Sequence, residues 1–175
     1  MQRIILSGIK HSGKSTVGWA IASRLGLFFA DLDDLILRDA ADFSSIRELF
    51  REIGADGFQK QEAESLNHFF QANEGKEFVL SLGGGTIENS LALEIMNRDD
   101  VTSYYLDADE NDLFNRIIRG GIPPFLEGED PKKKFSDLYK RRSALYRNWA
   151  FRIIDTRGKT PAEITDEIID TVDHT

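Results

Sequence analysis

The chain has no cysteine among its 175 residues, which removes disulfides and thiolate metal sites from the possibilities. It has only four prolines, and three of them, Pro123, Pro124 and Pro131, fall in one short stretch. No apolar run approaches the roughly 20 residues a bilayer crossing requires. An apolar strand begins almost at once, so no signal peptide and no membrane partner are expected. Positive charge is also in short supply: 22 Lys and Arg face 30 Asp and Glu, a net charge of -8, with a pI near 4.9. That balance argues against general binding to nucleic acid. What remains is 41% hydrophobic and 30% charged, an ordinary composition for one soluble domain. A single cytoplasmic α/β domain, 1–175, without repeat or linker, is the expectation, as a monomer.

Against that background one stretch stands out, Gly8-Ile9-Lys10-His11-Ser12-Gly13-Lys14-Ser15-Thr16. It follows the apolar Arg3-Ile4-Ile5-Leu6-Ser7 and runs into Val17-Gly18-Trp19-Ala20-Ile21-Ala22, so it lies between a strand and a helix. This is the G-x-x-x-x-G-K-[ST] pattern in the context a phosphate-binding loop requires. Glycines let successive N–H groups converge on one phosphate, and the next helix presents its positive end there. Lys14 is placed to reach the β- and γ-phosphates, and the Ser15 hydroxyl to ligate Mg²⁺.

Later segments supply the rest of an α/β sheet. Leu27-Phe28-Phe29-Ala30 reads as a second strand ending in Asp31, with Asp33 and Asp34 just beyond it. Three carboxylates in four residues suit either a cation or hydroxyl partner or the acidic start of a helix. Residues 44–72 read as helical, broken at Gly54 and Gly57 and resumed by Phe58, Glu62, Leu66 and Phe69. For most of Glu62, Glu64, Arg47 and Arg51 a solvated helix face is the expectation. Phe78-Val79-Leu80-Ser81-Leu82 is a third strand leading into Gly83-Gly84-Gly85, which would let a substrate approach the backbone or would simply form a flexible turn. Strands at 101–106 and 151–155 flank a helix over 110–119 and another over 132–147. The second helix carries seven basic residues against Asp137 alone, which suggests anionic ligands. Between those helices, residues 120–131 are too rich in glycine and proline for a continuous element, and a loop of that length reads as a lid. Thr160-Pro161-Ala162-Glu163 opens the last helix with a capping box.

Taken together, these landmarks resemble the shikimate kinases, within the small phosphate-loop kinases related to nucleoside monophosphate kinases. The resemblance runs over essentially the whole chain. It implies a five-stranded parallel sheet of order 2-3-1-4-5 with a small lid, ATP and Mg²⁺, and phosphoryl transfer to a hydroxyl of a small cyclic acid, shikimate. It implies nucleotide contacts from Gly8, His11, Ser12, Gly13, Lys14, Ser15, Thr16 and Arg116, with Asp31 near the metal through water. It implies that Asp33 holds the acceptor hydroxyls as the general-base candidate, with Gly83, Gly84, Gly85 and Arg142 around the acceptor. Three positions depart from the family pattern. Gln59 stands where F-R-x-x-E has arginine, Pro123 where the lid motif R-P-L-L has arginine, and His11 where a third glycine is common. The donor half therefore matches while the acceptor half is altered, which leaves room for another polyol or sugar acid, or for an ATP-binding regulatory protein.

Overall fold

In the computed structural model, which describes residues 2–172, strands and helices alternate almost throughout. The strands are β1 (Arg3–Ser7), β2 (Phe28–Asp31), β3 (Phe78–Ser81), β4 (Thr102–Asp107) and β5 (Arg152–Asp155). They pair in parallel in the order β2-β3-β1-β4-β5, as the resemblance implied. The helices are α1 (Lys14–Leu25), α2 (Leu32–Asp39), α3 (Ile46–Ala72), α4 (Ser90–Met96), α5 (Glu110–Ile118), α6 (Pro131–Trp149) and α7 (Pro161–Val172). Among the described residues no helix is long and apolar enough to cross a membrane.

A central parallel strand must be apolar on both faces because helices cover both. In β1, Ile4 and Leu6 pack with Val17 and Ile21 of α1 and Ile168 of α7. Ile5 points the other way, into a second core with Leu32, Ile36, Leu66 and Phe69 from α2 and α3. Full burial of each such side chain contributes about 1.5–3 kcal/mol. Arg3 closes the lower end of the sheet. Its Nε and Nη2 donate to the carbonyls of Lys76 and Asn73, and Nη1 pairs with Asp100.

Register decides where the chemistry collects. Leu6 of β1 and Asp31 of β2 both pair with Ser81 of β3, so three strands end at one level. The segments that leave them there are the glycine loop, the acidic cluster and the glycine triplet. In open α/β sheets that level is where ligands bind.

Three expectations are refined. Only Gly54 leaves helical geometry inside α3, at φ 71°, whereas Gly57 stays helical, so the break is a single kink. The acidic cluster satisfies both readings at once, because Asp31 caps α2 through the Asp33 N–H while its other oxygen faces Ser15. Residues 120–131 are not wholly irregular: Pro124–Leu126 form a 3-10 turn whose Leu126 is fully buried against Ile9, Tyr105 and Phe135. That anchor leaves Ile122 and Phe125 facing outward.

Candidate active site

The loop after β1 is shaped by backbone that only small residues tolerate. Gly8 and Gly13 have φ of 153° and 93°, and a Cβ on Gly8 would lie 2.6 Å from the Ser12 Oγ. His11 also takes a left-handed φ of 67°. For a residue with a Cβ this costs about 1–2 kcal/mol, which a glycine, as the resemblance implies there, would avoid. Asp31, Ser45, Asn89, Asp109, Asp130 and Thr160 cap the other six helices with side-chain oxygens. Helix α1 starts from Gly13, with no side-chain cap and no acid in its first turn. Its first N–H groups are thus left to an external anion.

Lys14 is buried, and its ammonium donates to the carbonyls of Gly8 (2.9 Å) and Ile9 (3.1 Å). Burial pushes its pKa down to about 8, against the pull of Asp31 and Asp33. A phosphate at the loop would replace those two carbonyls as its partner. The Ser15 hydroxyl donates to Asp31 Oδ2 at 2.6 Å. Among the described residues no three His, Cys, Asp or Glu converge on a point. Ser15 and Asp31 alone therefore fit an ion that takes most of its ligands from phosphates and water, as Mg²⁺ does beside nucleotides. Thr16 follows at the exposed start of α1. Arg116, on α5, donates to the His11 carbonyl at 3.1 Å, which holds its guanidinium at the outer rim of the loop.

On the other side of the cleft lies Asp33. It faces open solvent yet is ringed by enough protein that desolvation raises its pKa, helped by Asp31 and opposed by Lys14 and Lys10. The glycine triplet is explained by space and not by backbone strain, since none of its members has positive φ. A Cβ on Gly83 would meet Thr86 Oγ1 at 3.0 Å and Asp33 Oδ1 at 3.3 Å. One on Gly84 would stand 2.8 Å from the Lys10 backbone nitrogen, and one on Gly85 3.0 Å from Arg142 Nη2. The triplet lets the phosphate loop, Asp33 and α6 meet. Arg142 donates from Nε to Glu88 Oε2 (2.7 Å) and from Nη1 to the Gly84 carbonyl (3.0 Å). Arg141 shares Glu88 through its other oxygen at 2.5 Å. These contacts hold the Glu88 carboxyl below its usual range, although its partial burial opposes them.

Gln59 joins the site through its backbone: its carbonyl accepts from Asn89 Nδ2 at 2.8 Å, while its side chain lies on an exposed part of α3. Glu62 is an exception to the solvated face expected of most of the charged residues on α3. That carboxylate is buried, accepts from Thr86 Oγ1 (2.6 Å) and Asn89 Nδ2 (2.8 Å), and has its pKa raised by desolvation. The signal was present, because Glu62 lies on the same helical stripe as Phe58, Leu66 and Phe69. The pairing of Glu88 with the two arginines had no signal in local sequence, since 53 and 54 residues separate the partners.

A parallel sheet, an uncapped helix behind a glycine loop, and a carboxylate across the cleft define a phosphate-loop kinase acting on the hydroxyl of a small molecule. The comparisons with known proteins narrow that class. A family model described as shikimate kinase matches residues 10–173. A shikimate kinase from Thermodesulfovibrio yellowstonii is 32% identical over 97% of this chain and 94% of its own. The structure of a shikimate kinase from Acinetobacter baumannii in complex with shikimate superposes with a TM-score of 0.86 at 30% identity, covering 98% of this chain and 93% of the other. A gluconokinase from Sinorhizobium meliloti, at 18% identity and TM-score 0.60, shares the fold. The chain belongs to the shikimate kinase family.

Proposed function

We propose that this protein transfers the γ-phosphoryl group of ATP to a ring hydroxyl of shikimate, giving shikimate 3-phosphate, as a cytoplasmic monomer. The observation that supports the reading most is the meeting of the glycine loop and Asp33 at the glycine triplet, with Lys10 beside Gly84 and Asp33 beside Gly83. The loop amides and the start of α1 bind the phosphates, and Lys14 moves from the Gly8 and Ile9 carbonyls to the β- and γ-oxygens. Ser15, and Asp31 through water, would hold Mg²⁺, which would supply neutralisation of phosphate charge when bound. Asp33 accepts the proton of the attacking hydroxyl. Arg142 offers Nη2 to the acceptor carboxylate, and residues 120–131 close over the nucleotide.

A distinctive pH dependence follows. kcat/KM for ATP should rise with pH as Asp33 loses its proton, above the ordinary carboxylate range. It should fall again as the free enzyme's Lys14 is deprotonated near pH 8. Saturating ATP should move the alkaline limb of kcat upward, because bound phosphate favours the ammonium. A profile with no acid limb above the ordinary carboxylate range and no alkaline limb near pH 8 contradicts both assignments.

Two observations favour a second reading, in which the acceptor is another polyol or sugar acid. Gln59 supplies no charge, and Arg142 is already paired with Glu88. A charged hydrogen-bond partner contributes roughly 1.5–3 kcal/mol. For shikimate we therefore expect a high KM, lowered at least about tenfold by Gln59→Arg. Steady-state assays of the parent and Gln59→Arg across shikimate and a panel of hydroxy acids decide the matter. Faster turnover of another acceptor by the parent, with shikimate unused by Gln59→Arg, establishes the second reading.

A further inference from the structure

The proposed lid contains no cation. Between Gly120 and Pro131 the ionisable side chains are Glu127, Glu129 and Asp130. Phosphoryl transfer spreads negative charge over the equatorial oxygens of the moving group, and the protein's main contribution is to neutralise it. A lid of this composition adds repulsion at that point. The required positive charge must come from the walls of the cleft.

Most basic side chains around the cleft are committed. Arg142 and Arg141 are held by Glu88, Arg116 by the His11 carbonyl, and Lys134 by the Glu127 carbonyl. Lys14 serves the β- and γ-phosphates from within the loop. Lys10 differs from all of these. It is exposed, and among the described residues no hydrogen bond or ion pair engages its ammonium. Its position is also unlike that of an ordinary surface lysine. Its backbone nitrogen and Cβ would lie 2.8 and 3.3 Å from a Cβ on Gly84, so it leaves the phosphate loop on the side facing the glycine triplet. Its charge is felt at Lys14 in the loop and at Asp33 on the other side of the triplet. Lys10 and Lys14 leave the same loop four residues apart, so an anionic ligand held there would meet both charges.

We propose that Lys10 is a catalytic residue whose ammonium contacts the equatorial oxygens of the transferring phosphoryl group, where the lid supplies no cation. The inference rests on the phosphoryl-transfer reading above. In the step itself, an acceptor hydroxyl oxygen forms a bond to the γ-phosphorus. The bond from that phosphorus to the β,γ-bridging oxygen breaks, ADP leaves with its electron pair, and the hydroxyl proton passes to Asp33. Lys10 remains protonated and its contact strengthens as charge develops on the oxygens.

The test compares Lys10→Ala, Lys10→Met and Lys10→Arg with the parent in ATP-dependent phosphorylation of shikimate, alongside direct ATP binding and thermal unfolding. Lys10→Ala and Lys10→Met should lower kcat about a hundredfold or more with ATP affinity within about threefold. Lys10→Arg should recover much of the loss. MgADP with aluminium fluoride and shikimate should be trapped tightly by the parent and weakly by Lys10→Ala, because that complex mimics the transition state. The inference is overturned by a kcat within about threefold of the parent, or by a loss confined to the acceptor KM. No transfer by the parent refutes the phosphoryl-transfer reading itself, so the two failures are separable.

Discussion

Lys14→Ala should lower phosphoryl transfer by about 10³-fold or more while leaving the protein folded. The size of the effect follows from what the ammonium does. It is the only cation rooted inside the glycine loop that is also buried, so its charge acts on the phosphates with little screening by water. The fold should survive because its partners in the free protein are two loop carbonyls, which water can reach once the side chain is gone. No apolar core contact is lost, and a desolvated charge is removed. Thermal unfolding and ATP binding measured beside turnover check the assignment. Near-parental turnover in folded Lys14→Ala would remove Lys14 from the mechanism.

The second large effect belongs to a residue with no functional group. Gly84→Ala should reduce kcat/KM about a hundredfold or more, because its Cβ would sit 2.8 Å from the Lys10 backbone nitrogen. That neighbour is main chain inside a constrained loop, not the end of a flexible side chain. Either the phosphate loop or the segment after β3 must move, and overpacking of this kind costs about 1–3 kcal/mol. The damage to activity should exceed the damage to stability, since a displacement of about 1 Å suffices to misalign donor and acceptor. Gly13→Ala is an unsuitable comparison, because nothing lies near its would-be Cβ and its strain is in φ. Equal activity of Gly84→Ala and parent would show that the two segments are free to separate.

Most of the architecture could be read from the residues because its causes are local. The five apolar strands, Gly26 as a left-handed cap and the Thr160–Glu163 capping box all depend on neighbours a few positions away. The glycine loop and the helix that follows it were legible for the same reason, since they are contiguous in the chain. The acceptor half was less so. Glu62 gains its role from Thr86 and Asn89, which a crossing from α3 to the segment after β3 brings near. Arg142 was anticipated, yet its engagement by Glu88 and the Gly84 carbonyl arises from how α6 lies across that segment. The glycine triplet left open room for substrate or a flexible turn, and its closeness to Lys10, Asp33 and Arg142 depends on distant segments. Long-range packing, not composition, sets these contacts.

The central claim is transfer of phosphate from ATP to shikimate at this cleft. The most direct test is phosphorus NMR of the protein mixed with equimolar ATP, Mg²⁺ and shikimate, repeated with Lys14→Ala. The parent should give ADP together with one new phosphomonoester resonance, and the variant should leave ATP unchanged. ADP accompanied only by inorganic phosphate, or ATP left intact by the parent, would contradict the claim.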